Sequence, residues 1–210
     1  MKKITILVFA FTVLLGCNTE SKSKDTSDPT MEIAPQKPNT TSSLKSGDYT
    51  TLFENYKCPI IDDNLAQALE VSPDELTQIQ TNTANLCVYQ IQGFGKNKLN
   101  EPAQLSWGPI PSTKAANKNE IQSGLKIKED DAPSELFGMG ISLADTQDSY
   151  IYRQPHVGRV LIYNENYDQA FLISYGMSGS VYNDRTPEQH QELTQKMVML
   201  ANYLLKKHRK

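Results

Sequence analysis

Apolar residues are distributed along this chain in three regimes. Ile4 to Leu15 is a nearly continuous apolar run, and from Asn18 to Gly47 only Met31, Ile33, Ala34 and Leu44 interrupt polar sequence. From about Asp48 the apolar positions become periodic. Asp62 or Asp63 can cap a helix whose Leu65, Ala68 and Leu69 recur at three and four. Ser72-Pro73-Asp74-Glu75 has a capping residue, a proline at the first helical position and a glutamate three residues on, which predicts a second helix burying Leu76 and Ile79. Leu86 to Ile91 is rich in strand formers and is ended by Gly93-Phe94-Gly95. A further strand is expected near Gln104 to Trp107, and a short helix around Lys114 to Ser123.

The last third carries the clearest alternation. Val157 to Tyr163 and Ala170 to Tyr175 are β-branched and aromatic runs joined by Asn164-Glu165-Asn166-Tyr167-Asp168, which suits an antiparallel hairpin. Thr186-Pro187-Glu188-Gln189 repeats the capping pattern and opens a helix of about twenty residues, with Leu193, Met197, Leu200, Ala201 and Leu204 on one face. Lys206, Lys207 and Arg209 lie at its negative end. No internal repeat is visible. These elements predict an α+β fold, an antiparallel sheet packed against helices and crossed by a long C-terminal helix.

The length, 210 residues, allows one compact domain with extensions. Lys and Arg number 21 against 24 Asp and Glu, for a net charge of −3, and loss of Lys2 and Lys3 with a cleaved leader brings it to −5. The only dense basic run is Lys206 to Lys210. Nucleic acid, which needs a basic face, is therefore not an expected partner. A mean hydropathy of −0.50 with one apolar run excludes a polytopic membrane protein.

Met1-Lys2-Lys3 followed by Ile4 to Leu15 has the layout of an export signal. As a helix its twelve residues span about 18 Å, short of the roughly 30 Å of a bilayer core. The ending Leu14-Leu15-Gly16-Cys17 resembles the lipobox of bacterial lipoproteins. That resemblance implies cleavage before Cys17, acylation of its sulfur and amino group, and a stable membrane anchor without a spanning helix. Asn18 stands where Asp would favour inner-membrane retention, so the resemblance points to the outer membrane. Residues 1–16 are thus a signal peptide and 17–47 a lipidated cysteine with a tether. Eleven Ser or Thr and three Pro among residues 18–47 leave too little apolar surface to offset ordering. Residues 48–210 form the single domain.

With Cys17 assigned to lipid, Cys58 and Cys87 remain as an even pair in an oxidising compartment, and a disulfide is expected. A loop of about 30 residues would contribute roughly 3 to 4 kcal/mol. The alternative is two free thiols. The order Cys58-Pro59-Ile60-Ile61-Asp62, Leu65-x-x-Ala68-Leu69, Cys87-x-Tyr89, Val157-Gly158 and a terminal helix with Leu200-Ala201 resembles small envelope lipoproteins with a paired-cysteine domain of unknown function, over about Tyr56 to Leu205. It implies a secreted, disulfide-closed, non-enzymatic domain and transfers no catalytic residue.

Each pattern that might carry chemistry lacks a member. Gly176-Met177-Ser178-Gly179-Ser180 is near a nucleophile elbow, with Asp184 and His190 downstream, but no helix signal comes directly after it. His156, His190 and His208 lack zinc-site spacing; they read as a turn residue, a solvated first-turn residue and a tail residue. Gly93-x-Gly95 and Gly138-x-Gly140 read as turns. Asn164-x-Asn166-x-Asp168 begins like a calcium loop, but Gln169 and Tyr175 stand where Gly and Glu are needed. Asp145, Asp148 and Glu129-Asp130-Asp131 offer carboxylates for glycosidase chemistry only if the fold brings a pair together. No catalytic residue, metal ligand or cofactor is assigned.

Tyr150, Tyr152, Tyr163, Tyr167, Tyr175 and Tyr182 are six of the ten tyrosines within thirty-three positions. Tyrosines suit interfaces. They either expose a platform for a glycan, a peptide or a protein, or pack between sheet and helix. The expected function is that of a lipid-anchored envelope protein, periplasmic or surface-facing, binding an envelope partner through Tyr150, Tyr152, Tyr163 and Tyr167. The alternatives are a hydrolase acting on cell-wall glycan or peptide, and a structural or inhibitor lipoprotein.

Overall fold

The computed structural model describes residues 46–79, 85–92, 103–127, 138–175 and 186–210. In chain order they form α1 (Thr50–Phe53), α2 (Asp63–Ala68), β1 (Leu76–Ile79), β2 (Cys87–Ile91), β3 (Ala103–Pro111), α3 (Lys114–Gly124), β4 (Gly140–Leu143), β5 (Tyr150–Gln154), β6 (Arg159–Tyr163), β7 (Gln169–Tyr175) and α4 (Pro187–His208). All seven strands join one antiparallel sheet in the order β1-β2-β3-β7-β6-β5-β4. Two meanders meet where β3 pairs with β7, from Leu105 opposite Tyr175 to Pro111 opposite Gln169. The architecture is α+β.

Helices cover both faces of the sheet, and strand alternation sends each residue to one core or the other. On one face Val160 and Ile162 of β6, Phe171 and Ile173 of β7 and Trp107 of β3 join Leu193, Met197, Leu200 and Leu204 of α4 in the main core. On the other, Tyr152, Leu161, Tyr163 and Ala170 pack with Ile121 of α3. The long helix buries the stripe that its sequence period marks. Its N-terminus closes reciprocally: Thr186 Oγ1 accepts from the Gln189 N–H at 3.3 Å and Gln189 Oε1 from the Thr186 N–H at 2.9 Å.

The helix expected after Ser72 is not formed. Its capping box is complete, but it holds only a 3-10 turn, Pro73–Glu75, before the chain becomes β1. Leu76 to Ile79 pair with Val88 to Ile91, and Thr77 and Gln78 stay exposed. Local capping favours a helix, but a four-residue ladder with β2 satisfies the same backbone groups and buries Leu76 in the main core. α2 ends in a Schellman motif, with Val71 N–H donating to Ala66 O and Glu70 N–H to Gln67 O, both at 3.1 Å. Glu70 takes the left-handed position, φ 52°. Lys196, buried on α4, donates from Nζ to Leu69 O at 2.9 Å and Glu70 O at 3.2 Å, fixing that turn to the long helix.

Cys58 and Cys87 form a disulfide, S–S 2.12 Å. Around it Tyr89 stacks on Trp107 at 4.3 Å, Trp107 Nε1 donates to Tyr56 O–H at 2.6 Å, and Tyr89 O–H donates to Pro59 O at 2.6 Å. The bridge therefore ties the segment before α2 to an aromatic block on the sheet. At the opposite end of the chain Asp48 and Lys210 exchange both backbone bonds, at 3.1 and 3.0 Å. No helix of the described residues is long and apolar enough to cross a membrane.

Candidate functional site

The hairpin of β6 and β7 forms, but its tyrosines are core residues. Tyr152, Tyr163 and Tyr167 are 5%, 7% and 8% exposed, and only Tyr150 is half-buried. The platform expected from their spacing is corrected by the second helical layer: α3 covers the face that Tyr150, Tyr152 and Tyr163 share. Burial pushes the Tyr163 hydroxyl up to about 12. Tyr167 lies on the other side, stacked on Phe53 at 4.7 Å; its hydroxyl accepts from the Tyr49 N–H at 2.5 Å and donates to Asp48 at 3.2 Å. It joins the hairpin loop to the start of the domain.

What the hairpin exposes is its two ends. At one, Asn164, Asn166 and Asp168 bond the loop and its neighbours. Asn164 Oδ1 accepts from the Asn166 N–H, its Nδ2 donates to Asp148 O and Ser149 Oγ, and Asp168 accepts from the Lys114 N–H. Asn117 of α3, fully buried, donates from one amide group to Asn164 O, Tyr167 O and Gln169 O at 3.1, 3.0 and 2.9 Å. Asp145 and Asp148 each pair with a cation at the end of α4: the first bonds Lys206 at 2.6 Å, the second Arg209 at 3.1 Å. Asp148 also accepts from Gly47 N–H and Tyr49 O–H, and these bonds outweigh its burial and hold its carboxyl below the ordinary value.

The other end is a 3-10 turn, Pro155–Val157, closed by Gly158 at φ 63°. It presents Val157 and Arg159 to solvent, with Gln154 and His156 half-buried beside them. The Arg159 guanidinium is bonded from Nε to Gln154 Oε1, which aims it without neutralising it. His156 Nδ1 is buried with no hydrogen-bond partner. Burial, and then the Arg159 charge, push this imidazole below its ordinary pKa, so it is neutral at pH 7. The exposed Arg159 guanidinium, with the His156 imidazole on the same turn, suits a carboxylate or another anionic group.

His156 is the turn residue its sequence position suggests, whereas the other two histidines depart from the sequence reading. His190 is buried rather than solvated, its Nδ1 2.5 Å from the Tyr175 hydroxyl, because the first turns of α4 lie on the end of β7. His208 is half-buried, its Nδ1 3.0 Å from Thr51 Oγ1, and burial lowers its pKa. Among the described residues no group of three or more His, Cys, Asp or Glu is placed to hold a metal. Cys17, Gly93-x-Gly95, Glu129 to Asp131, the Gly176–Ser180 motif, Tyr182 and Asp184 lie outside the described residues.

The chain has no match among protein-family models, curated proteins or solved structures. Its own residues alone define the site. The turn at Gln154 to Arg159 was missed in sequence because a single Arg and a single His, read in line, carry no spacing signal. The β5–β6 register brings Arg159 opposite Gln154.

Proposed function

We propose that the chain is a lipid-anchored protein of a bacterial cell envelope, whose disulfide-closed domain holds a partner without transforming it. The observation that carries this reading is the Cys58–Cys87 bridge. The chain has three cysteines, so the bridge leaves Cys17 of the Leu-x-Gly-Cys motif as the one remaining thiol. A structural disulfide with one buried and one partly buried cysteine suits an oxidising, exported setting, and acylation at Cys17 would anchor a domain that needs no membrane helix. Asn18 favours the outer membrane within that reading.

The partner-binding surface is the turn from Gln154 to Arg159, in place of the buried tyrosines. Its chemistry fits an anionic group, such as a carboxylate of an envelope peptide, protein or glycan. The anchor is tested by labelling with a palmitate analogue in a bacterial host. The wild-type chain should take the label and partition with membranes, and Cys17→Ser should lose both. Wild-type chain free of acyl mass would overturn the anchor. For the surface, a photo-crosslinking residue at Val157 should give a discrete adduct that Arg159→Ala weakens, whereas the same probe at exposed Gln78 should not. Equal labelling from both positions would overturn the surface.

A further inference from the structure

The segment from Ser46 to Phe53 lies across the base of the domain, and groups that titrate hold it there. α1 within it is one turn of four residues, too short to be stable alone. Leu52 and Phe53, with Tyr49 before them, are fully buried in the main core. Beyond the backbone pair of Asp48 and Lys210, the polar ties run chiefly through Asp48, Asp148 and His208. Asp148, between β4 and β5, accepts from Gly47 N–H at 2.8 Å, Tyr49 O–H at 2.5 Å and Arg209 Nε at 3.1 Å. Asp48 accepts from Thr50 N–H and Oγ1 at 2.8 and 2.7 Å, and from the Tyr167 hydroxyl at 3.2 Å. In the last turn of α4, His208 Nδ1 lies 3.0 Å from Thr51 Oγ1.

The charge around His208 is one-sided. α1 is Thr50-Thr51-Leu52-Phe53, without an ionisable side chain. Tyr56 sets its ring 5.7 Å from the imidazole; its hydroxyl accepts from Trp107 Nε1, and burial pushes its pKa up, so it stays neutral. From α4 and the residues after it come Lys207 and Lys210, while Arg209 between them is paired with Asp148. Burial, and then the two lysines, push the imidazole below its ordinary 6.5, so the closed arrangement favours its neutral form.

We propose that Ser46 to Phe53 is an acid-sensitive strap, which acidification shifts toward an open state while the seven-stranded sheet stays folded. The inference is independent of the anchor and of the Arg159 surface. All three titratable groups act in one direction. His208 takes its proton more readily when the strap is open, so the closed state is weakened as pH falls below 6.5. The Thr50 N–H and hydroxyl hold the Asp48 carboxyl below 3.8. At Asp148 burial works the other way, but the bonds from Tyr49 and Gly47 outweigh it. Both carboxylates therefore weaken the closed strap at more acid pH, after His208 has done so. Each unit by which a folded pKa is depressed is worth about tenfold in the opening equilibrium. The sheet ladder is made of backbone bonds, which do not titrate in this range, so the loss is confined to the strap and uncovers the stack of Phe53 on Tyr167.

Hydrogen exchange of the full chain, read by mass spectrometry as protection relative to the unfolded sequence at each pH, tests the strap. Between about pH 7.5 and about pH 5.5 the protection of residues 49–55 should fall at least about threefold, with β6 and β7 unchanged. His208→Gln, which cannot take the proton, should remove that fall, and His156→Gln should keep it. Nuclear magnetic resonance of the wild-type His208 imidazole should give a pKa below 6.5, a measurement that does not depend on how the variants fold. Strap protection indifferent to pH overturns the proposal, as does an equal loss in β6 and β7. So does a fall that survives in His208→Gln or vanishes in His156→Gln, or a His208 imidazole titrating at or above 6.5.

Discussion

Asn117 offers the most direct test of how the second helical layer is held. Its Nδ2 has two hydrogens and serves three carbonyls of the β6–β7 loop and of β7, while its Oδ1 accepts from Ser112 Oγ at 2.6 Å. Asn117→Ala strips the donors from a fully buried position. An unsatisfied buried polar group costs about 1 to 3 kcal/mol, and with two hydrogens lost the expected destabilisation is about 3 kcal/mol. For a domain of this size that lowers Tm by about 6 to 12 °C. Asn117→Asp keeps the shape but turns acceptors toward three carbonyl oxygens, so it should be worse than alanine at pH 7. Its sign with pH is also fixed. Burial among acceptors raises the folded pKa of the introduced carboxyl above its unfolded value, so the native state binds the proton more tightly. Stability should then recover as pH falls toward 5. Urea unfolding at pH 7 and pH 5, monitored by far-UV circular dichroism, measures both variants. An alanine variant within about 0.5 kcal/mol of wild type, a value typical of surface changes, would refute the reasoning, as would an aspartate variant no worse than alanine and indifferent to pH.

Three further outcomes are expected. Replacing Cys58 and Cys87 together by Ser removes a bridge of sequence separation 29 and should cost about 3 to 4 kcal/mol, read as a drop in the urea midpoint that reductant reproduces in the wild type. Glu70→Gly relieves a left-handed residue, φ 52°, at an exposed helix end and should raise Tm by about 2 to 4 °C for a gain near 1 kcal/mol; a fall in Tm would contradict it. The folded Asp148 carboxyl sits below its ordinary 3.8, so its stabilisation is present above that pH and is lost as pH falls through the folded value. Asp148→Asn should therefore be less stable than wild type at pH 7, and in thermal scans the gap should narrow only as pH falls below 3.8.

The sequence announced elements by period and boundary, and it was weakest where two signals competed. The long helix was legible from Leu193 to Leu204 because one face repeats without interruption, and the β6–β7 hairpin because both strands are β-branched. Ser72 to Glu75 misled because a capping box marks only the first turn; the state of Leu76 to Ile79 is decided by β2, which lies across the loop and is not visible locally. β4 went unread because it has only four residues, and β5 because polar Arg153 and Gln154 cut short its apolar run. The tyrosine spacing was read correctly as alternation, but alternation does not say whether a face is wet. That depended on α3, whose one buried apolar anchor, Ile121, gives a weak stripe. His190 was misplaced for a related reason: helix polarity near an N-terminus resembles exposure, while Tyr175 lies against it.

The paired backbones of Asp48 and Lys210 turn the domain into a loop fastened at its base. A reporter placed after Lys210 would emerge beside Asp48, at the clasp itself. Linking Lys210 to Asp48 through a few flexible residues and opening the chain at another surface turn should give a circular permutant with the same fold. In such a permutant a label can be carried to whichever turn is to be observed, with both original ends left undisturbed in their clasp.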